Sequence, residues 1–392
     1  MRTSRRIPPD LTPTPLARAL AASGAASPVV DLTLSNPTLA GLTYDRARIL
    51  AALGDAESLR YEPAPLGRLE ARQAVVEHLL RQGRAVPLER VVLTASTSEA
   101  YAVLMKLLCD PGDAIAVPAP SYPLVPHLAE LEGVRPLTYR LLPCDGWRID
   151  FASLAAVLDE GVRAVVVVSP NNPTGSVVGD ADAQELRQRC QEAGVALIVD
   201  EVFWAYRYGA SGPSPFARDQ GPLTFVLDGL SKAAALPQLK LGWMTLHGVE
   251  SALDTARAGL EWLLDASLSV STPVQVAARE LLATAAPMQA QIRARLAQNR
   301  VALAEACAGL AAVRLLPAEA GWYAVLELGE RVDEEGVVER LATCHAVIVH
   351  PGFFYDFVRP GYLVASLLPE PTTFARGAAA LQRYFASRSA SD

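Results

Sequence analysis

Lysine is rare in this chain of 392 residues, and its few positions are candidates for amine chemistry. Lysine and arginine together number 35, and only Lys106, Lys232 and Lys240 are lysine. Arginine stays protonated and cannot form an imine, so the two cations are not interchangeable in chemistry. Lys232 stands in G-L-S-K-A (229–233), directly after the apolar run L-T-F-V-L-D. It is therefore a candidate Schiff-base lysine for an aldehyde cofactor, a role that needs a primary amine.

Two other interpretations of this segment compete with the Schiff base. A lysine in a loop is most often a solvated surface charge. A serine nucleophile elbow has the pattern G-x-S-x-G, but Ala233 stands where its last glycine would be. The scarcity of lysine elsewhere in the chain favours the amine interpretation.

A pyridoxal phosphate site needs three further features, and the sequence offers a candidate for each. Asp200 closes the apolar run V-A-L-I-V-D and could face a pyridine nitrogen, although it could equally cap the next segment. T-A-S-T-S-E-A (94–100) offers amides and hydroxyls at a helix N-terminus, which is either an anion site or an ordinary cap. N-N-P-T-G (171–175) offers a polar contact, or simply a turn. Together with Lys232, and in this order along the chain, these three features predict a pyridoxal phosphate site.

The elements around these motifs alternate between strand and helix. Apolar runs predict strands at 91–94, 114–117, 163–169, 195–200, 223–227 and 242–246, and helical periodicity predicts helices at 68–82, 98–109, 122–132 and 181–193. Continuous apolar strands indicate a mostly parallel sheet covered on both faces, which is the α/β class. In such sheets ligands bind beyond the carboxyl ends of the strands, where Ser98, Asn172, Asp200 and Lys232 fall.

After about residue 275 the pattern changes. A long helix at 288–309, strands at 313–316 and 323–328, and a final helix at 373–386 predict a smaller α+β domain packed with the N-terminal arm.

Composition excludes several classes of protein. Hydrophobic residues make up 51% of the chain and no apolar run is long enough to span a bilayer, so neither disorder nor a membrane protein is expected. The net charge of −7 argues against nucleic-acid binding. The histidines lack metal-site spacing, and no secretory signal is recognisable. Scattered cysteines indicate a reduced, cytoplasmic protein; they are Cys109, Cys144, Cys190, Cys307 and Cys344.

The ordered motifs resemble those of fold-type I pyridoxal-phosphate enzymes of the class I/II aminotransferase family. The similarity covers most of the chain through Y-E-P-A-P-L-G (61–67), L-T-A-S-T-S-E-A (93–100), P-A-P-S-Y-P-L (118–124), S-P-N-N-P-T-G (169–175), D-E-V-F (200–203) and L-S-K-A-A-A-L-P-Q-L-K-L-G-W (230–243). It implies a large α/β domain over 41–275 with a mostly parallel, seven-stranded sheet. It also implies a small domain built from 1–40 and 276–392, and a homodimer with shared active sites.

The resemblance further implies a role for each matching residue. Lys232 would carry the Schiff base with pyridoxal 5′-phosphate and move the substrate proton, and Asp200 would lie beside the pyridine nitrogen. Asn172 would contact the phenolic oxygen, and Tyr122 would stack on the ring. The phosphate would be bound by the Thr97 amide, Ser98, Ser231, Lys240 and, from the other subunit, Tyr61.

Three positions depart from the family pattern. Phe203 stands where a tyrosine often donates to the phenolic oxygen, and Lys240 replaces a phosphate-binding arginine. Val364, in G-Y-L-V-A-S, replaces the arginine that holds the substrate carboxylate. A relocated anchor, either Arg359 or the amides of Ser35–Asn36, is favoured over a substrate without a carboxylate.

The function expected from the resemblance is transamination between an amino donor and a 2-oxo acid. The alternatives are another carbanion reaction on the same scaffold (elimination, decarboxylation or oxidation) and a non-catalytic ligand-binding relict.

Overall fold

The computed structural model of this chain describes residues 4–8, 10–12, 29–143, 146–209 and 212–389. Cys144 and most of the expected N-terminal arm lie outside these residues. The strands of this part of the chain are β1 (Val30–Asp31), β2 (Val91–Thr94), β3 (Ala114–Ala119), β4 (Arg135–Leu142), β5 (Arg148–Ile149), β6 (Ala164–Val168), β7 (Ala196–Asp200), β8 (Thr224–Gly229), β9 (Gly242–His247), β10 (Arg314–Leu315), β11 (Tyr323–Glu327), β12 (Val347–Ile348), β13 (His350–Pro351) and β14 (Tyr362–Ser366).

The helices divide between the two ends of the chain and the segments that connect the strands. They are α1 (Arg46–Leu53), α2 (Leu69–Arg81), α3 (Thr97–Leu108), α4 (Leu124–Glu132), α5 (Phe151–Asp159), α6 (Asp180–Ala193), α7 (Leu230–Ala233), α8 (Glu250–Asp265), α9 (Thr272–Val276), α10 (Ala278–Ala283), α11 (Ala285–Cys307), α12 (Glu334–His345) and α13 (Pro371–Ser389). Across the described ranges, none of these helices is long and apolar enough to cross a membrane.

The large sheet has the strand order β2-β9-β8-β7-β6-β3-β4-β5. Its central strands pair in parallel, while β9 is antiparallel to both of its neighbours. The expected mostly parallel seven-stranded sheet is therefore confirmed, and the two-residue strand β5 extends its edge. Because β9 alone runs backwards among the seven, the carboxyl ends of the other six lie along one edge of the sheet.

Both faces of the sheet are buried, as the continuous apolar runs predict. In β6, Val165 and Val167 pack into one hydrophobic cluster, whereas Val166 and Val168 pack into the cluster on the opposite face. Side chains alternate along a strand, so a strand that is apolar at every position can be stable only between two layers. Each fully buried valine stabilises the fold by about 1.5–3 kcal/mol.

A second, four-stranded antiparallel sheet has the order β10-β11-β14-β13. The segment after β1 closes against its central strand: the Ser366 amide donates to Leu32 O and the Ser366 hydroxyl to Leu34 O, each at 2.6 Å. The early segment of the chain is thus tied to a strand more than 300 residues later. This contact brings Ser35 to the amino end of β11.

Candidate active site

The shared edge of the large sheet brings the candidate residues together from distant parts of the chain. Asp200 is the last residue of β7, and Lys232 follows β8 within α7. Asn172 follows β6, Tyr122 follows β3, and Ser98 opens α3 after β2. The predicted gathering of these five side chains at the carboxyl ends therefore agrees with the strand directions.

Asp200 is a buried carboxylate with two neutral donors. The Tyr101 hydroxyl donates to its Oδ2 and the Val202 amide to its Oδ1, both at 3.1 Å. Burial raises the pKa of Asp200 to about 6, against the opposing effects of these donors and of the Lys232 charge. The carboxylate is ionised at neutral pH, and the desolvation makes it a strong acceptor for a proton-bearing nitrogen.

Lys232 has an environment unlike that of a surface lysine. Its ammonium lies over the ring of Trp322 at 4.7 Å and near that of Phe203 at 5.5 Å. Burial lowers the pKa of Lys232 to about 8, although the charge of Asp200 opposes this shift. In contrast, Lys106 is exposed and forms a 2.6 Å ion pair with Glu132. The interpretation of Lys232 as a solvated charge is therefore wrong.

The two asparagines of N-N-P-T-G have different surroundings. Asn171 builds the turn, since its Oδ1 accepts from Thr174 and its Nδ2 donates to Pro120 O at 3.3 Å. Asn172 is also buried, yet its Oδ1 has no hydrogen-bond partner. A buried polar atom without a partner is costly in a native protein. Asn172 is therefore available for a bound molecule, whereas Asn171 is committed to the backbone.

The glycine of the same motif allows the two sheets to approach each other. Gly175 has φ +70°, and a Cβ at this position would collide with the carbonyl oxygen of Ala320. The Glu319 amide donates to Gly175 O at 3.1 Å, which fixes the segment that leads into Trp322 and β11. Only glycine combines this backbone conformation with so close a contact.

A cluster of aromatic rings faces the same site. Tyr122 is 41% exposed, and burial and the nearby Asp200 carboxylate raise its pKa. Phe203 packs edge-to-face against Trp322 at 5.4 Å and against Tyr323 at 6.3 Å between ring centroids. This arrangement provides apolar walls for a planar ring, with Tyr122 accessible from the solvent side.

The turn before α3 has the geometry of an anion-binding loop. Ser96 caps the helix, since its Oγ accepts from the Glu99 amide at 3.1 Å. The following amides of Thr97 and Ser98 lie in the first helical turn, where anions are stabilised. A Cβ on Gly242 would lie 2.9 Å from the Ser96 carbonyl carbon, so glycine permits β9 to pass directly beside this loop.

The remaining phosphate candidates are less enclosed. Ser231 is half-buried in α7, and Lys240 is exposed in a left-handed backbone conformation with φ +54°. Tyr61 is 75% exposed, on an opening that Leu264 and Ser269 also line. These three residues stay predictions, because the geometry of a single chain does not test their roles.

The sequence interpretation missed several residues that hold the site together. Tyr101 follows T-A-S-T-S-E-A at helical spacing, one turn after Thr97, and this spacing could have identified it. Tyr206 donates to Lys232 O at 2.7 Å and Gln289 to Ala233 O at 2.8 Å, and both lie in segments without a recognisable motif. No local pattern indicated these contacts.

A buried charge cluster supports the edge beside Asp200. Arg84 and Glu201 form an ion pair of 2.8 Å, with side chains 2% and 0% exposed. Burial also raises the pKa of Asp228 to about 7, which Arg84 opposes. The cluster was not expected from the sequence, since Arg84 lies in a short loop after α2.

The carboxylate anchors considered from the sequence have surroundings of their own. Val364 is fully buried in the centre of the second sheet, between Val325 and His350 on the neighbouring strands. Arg359 donates to Glu327 at 2.6 Å and to Glu330 at 2.9 Å, so two carboxylates already neutralise its guanidinium.

Comparison with known proteins agrees with this geometry. A model of the family described as aminotransferase class I and II matches residues 27–370. The chain belongs to this family. Its members are pyridoxal-phosphate-dependent enzymes, so the resemblance stated from the motifs is confirmed.

Individual relatives of this family are moderately similar. The chain is 29% identical to tyrosine aminotransferase of Mus musculus over 259 residues, which cover 65% of this chain and 57% of that enzyme. It is 26% identical to the glutamate-pyruvate aminotransferase AlaA of Escherichia coli strain K12 over 258 residues, covering 65% and 63%. The matched segments span less than two thirds of either enzyme.

Solved structures show the fold over the whole length. An aminotransferase from Escherichia coli superposes with a TM-score of 0.86 and covers 98% of both chains, at 22% sequence identity. The aspartate-aminotransferase-like architecture of fold-type I enzymes is thereby confirmed for this chain.

The residues at the sheet edge fit pyridoxal phosphate. The site offers an amine with a lowered pKa at Lys232 and a buried carboxylate at Asp200. It also offers the buried amide of Asn172, whose NH2 group can donate to an oxygen, and a helix N-terminus against which only glycine fits at position 242. Each of these features matches one functional group of the cofactor: the aldehyde, the pyridine nitrogen, the phenolic oxygen and the phosphate.

Proposed function

We propose that the chain is a pyridoxal-phosphate-dependent aminotransferase that exchanges an amino group between an amino donor and a 2-oxo acid in two successive half-reactions. The observation that carries the proposal is the placement of Lys232 and Asp200 at one edge of the sheet, since Asp200 ends β7 and Lys232 follows the neighbouring strand β8. When bound, the cofactor would supply an aldehyde and an electron sink.

Lys232 is the residue proposed to bind the cofactor covalently and to move the substrate proton. With a pKa of about 8, roughly a tenth of the amine is neutral at pH 7, far more than for a solvated lysine. The neutral Nζ is both the nucleophile and the base that such chemistry needs. The Tyr206 hydroxyl donates to Lys232 O, and this hydrogen bond holds the backbone of Lys232 in place while its side chain can still move.

Asp200 is proposed to hold a proton on the ring nitrogen of the cofactor. Tyr101 and Val202 orient its two oxygens, and the surrounding apolar strands exclude water. Asn172 is proposed to bind the phenolic oxygen, and Tyr122 to cover the ring. The phosphate is proposed to bind to the Thr97 amide, Ser98, Ser231 and Lys240.

The assembly is proposed to be a homodimer in the cytoplasm, with Tyr61 completing the phosphate site of the other subunit. The exposure of Tyr61 supports this, because an exposed aromatic ring next to a polar opening is suited to contact a partner. We further propose that 41–275 forms the cofactor-binding domain, and that 1–40 with 276–392 forms the smaller one.

The covalent role of Lys232 can be tested without knowing the substrate. Pyridoxal phosphate is added to the purified protein, the mixture is reduced with borohydride, and labelled peptides are mapped. The wild type should be labelled at Lys232, Lys232→Ala should lose the label, and Lys106→Ala should keep it. Labelling at Lys106 or Lys240 alone would show that the assignment is wrong.

Amino transfer itself is tested by following the spectrum of the holoprotein with added donors and assaying the keto acid formed. Transamination is supported if the donor yields its keto acid and if adding a second 2-oxo acid then restores the original spectrum of the holoprotein. Release of ammonia or carbon dioxide in place of this exchange would show that the alternative elimination or decarboxylation is the reaction. A holoprotein that responds to no amine would favour the relict.

The proposed substrates are an amine or amino acid and a keto acid, and the site of the donor carboxylate can be probed at Arg359. Its charge is already neutralised, so Arg359→Gln should change the KM for amino-acid donors by no more than about fivefold, as for other exposed ion pairs. Arg314→Gln, in the same cluster, is the matched control. A much larger increase for Arg359→Gln alone, absent with simple amines, would identify Arg359 as the relocated anchor.

A further inference from the structure

The turn that carries Lys232 is held by side chains from other parts of the chain. Helix α7 has only four residues, so the carbonyl groups at its end cannot all find partners within the helix. Three side chains donate to carbonyl oxygens in and just after α7: the Tyr206 hydroxyl to Lys232 O at 2.7 Å, Gln289 Nε2 to Ala233 O at 2.8 Å, and the Tyr44 hydroxyl to Ala235 O at 2.8 Å. These donors lie 26, 56 and 191 positions from the residues that they bind, so the turn depends on tertiary contacts.

The backbone of this turn includes a conformation that its sequence disfavours. Ala235 has φ +56°, in the left-handed region that glycine tolerates and alanine avoids. Such a conformation persists only where the surrounding contacts fix it. Ala235 is fully buried, and its carbonyl is the one that the Tyr44 hydroxyl binds. The packing around the turn therefore selects one arrangement of its backbone.

Helix α11 holds the turn both directly and through Tyr44. Gln289, on this helix, is 8% exposed and donates to Ala233 O, the carbonyl next to that of the lysine. Gln291, half a turn further on, accepts from the Thr43 amide at 3.1 Å and donates to Thr43 O at 3.0 Å. Thr43 directly precedes Tyr44, so α11 also fixes the backbone of the third donor.

We propose that Gln289 is a positioning residue for Lys232 and that, together with Tyr206 and Tyr44, it keeps the amine where it can bond to the cofactor. The inference rests on the proposed function, because it takes Lys232 as the residue that binds pyridoxal phosphate. In that step the amine nitrogen bonds to the aldehyde carbon, and the aldehyde oxygen leaves as water. The inference gives α11, which lies outside the proposed cofactor-binding domain, a part in forming this bond.

A fixed turn favours the covalent bond because only some positions of the amine can form it. If the turn has several arrangements, the apparent affinity for the aldehyde falls in proportion to the fraction that has the amine in place. A buried hydrogen bond between neutral groups biases such an equilibrium by about three- to tenfold. Loss of the hydrogen bond from Gln289 should therefore weaken cofactor binding by that factor, through the lysine alone.

The test compares four apoproteins: the wild type, Gln289→Met, Lys232→Ala and the double variant Gln289→Met/Lys232→Ala. Quenching of tryptophan fluorescence gives the dissociation constant of each for pyridoxal phosphate. We expect Gln289→Met to raise this constant by about three- to tenfold when Lys232 is present. In the Lys232→Ala background there is no amine to position, so the same substitution should change the constant by less than about twofold.

Asn299→Leu is the matched control on the same helix. Asn299 is also buried, and its Nδ2 donates to Leu367 O and Pro369 O, both at 2.8 Å, just after β14. In urea unfolding, Asn299→Leu should lower the free energy of unfolding at least as much as Gln289→Met does, because it breaks two such bonds and not one. Its dissociation constant for pyridoxal phosphate should nevertheless stay within about twofold of the wild-type value.

Tyr206→Phe is the second variant, for use if near-ultraviolet circular dichroism shows that Gln289→Met does not fold. It removes the hydrogen bond to Lys232 O and should behave like Gln289→Met in both backgrounds. An increase in the dissociation constant that is equal with and without Lys232, or no increase in either background, would overturn the inference and leave the proposed function intact. A wild type that binds pyridoxal phosphate no more tightly than Lys232→Ala would instead contradict the proposed covalent role of Lys232.

Discussion

Asp200 is expected to destabilise the cofactor-free protein, so Asp200→Asn should stabilise it. Burial raises the pKa of this carboxyl from its usual 3.8 to about 6 in the folded chain. Between these two values the folded state binds the proton more tightly than the unfolded state, so the free energy of unfolding falls as the pH rises. From about pH 7 upwards the loss is essentially complete and stays constant.

The size of the effect follows from the two pKa values. Relative to a protonated carboxyl, the ionised one should reduce the free energy of unfolding by about 1–2 kcal/mol at pH 5 and by about 3 kcal/mol at pH 8. Asparagine avoids this loss and can keep both hydrogen bonds. Its Oδ1 accepts from the Val202 amide, and the Tyr101 hydroxyl can rotate to accept from its Nδ2.

The assay is urea unfolding of the apoprotein at both pH values. The stability difference between Asp200→Asn and wild type should be larger at pH 8 than at pH 5 by about 1 kcal/mol. Asp254→Asn, which replaces an exposed carboxylate on α8, serves as the control for the loss of one negative charge at the surface. The reasoning would be refuted if Asp200→Asn destabilised the apoprotein at pH 8, or if the stability difference between variant and wild type were equal at pH 5 and pH 8. The rate of amino transfer should fall by orders of magnitude in Asp200→Asn, because the carboxylate that this variant lacks acts mainly in the transition state.

Two further predictions concern the packing around the site. Gly175→Ala should unfold at a lower urea concentration than Gly83→Ala. Both glycines have positive φ, but a Cβ at position 175 would collide with a carbonyl oxygen, whereas a Cβ at position 83 would face open space. Arg84→Ala should lower the free energy of unfolding by about 3–5 kcal/mol by leaving Glu201 unpaired in the interior. In the exposed pair with Glu280, Arg48→Ala should lower it by less than about 1 kcal/mol, and equal losses for the two arginine variants would contradict the structure.

Much of the large sheet could be predicted because several of its strands are almost continuously apolar. Residues 91–94, 163–169 and 195–200 stand out from their surroundings, and the structure has strands there within a residue or two at each end. Strand β4 was missed because its apolar residues are interrupted: buried Tyr139 and Leu141 alternate with exposed Arg140, and Pro136 is atypical of a strand. Helix α8 was also missed, although its buried residues Leu253, Ala256, Leu260 and Leu264 recur at helical spacing, a periodicity that could have identified it.

The site was predictable only as far as its residues belong to local motifs. Lys232, Asp200 and Asn172 follow strands, and the common edge of a parallel sheet places such residues together. Tyr101 and Tyr206 contribute through tertiary contacts. The Tyr101 hydroxyl donates to Asp200, a residue 99 positions later in the chain. Hydrophobic periodicity reports only on local structure, so it cannot predict a contact between residues so far apart in the chain.

The electrostatics at Val364 bear on which donors the enzyme would accept. Arg314, Glu327, Glu330 and Arg359 form one connected cluster with two positive and two negative charges, so its field at a distance is weak. Val364 itself is fully buried and offers no polar atom in its side chain. A carboxylate moved from water to such a place loses several kcal/mol of hydration unless neutral donors replace it. An amino acid whose carboxyl is amidated avoids that loss, so we expect it to bind to this site at least as well as the free acid. In Val364→Arg the free acid should bind better than the amide.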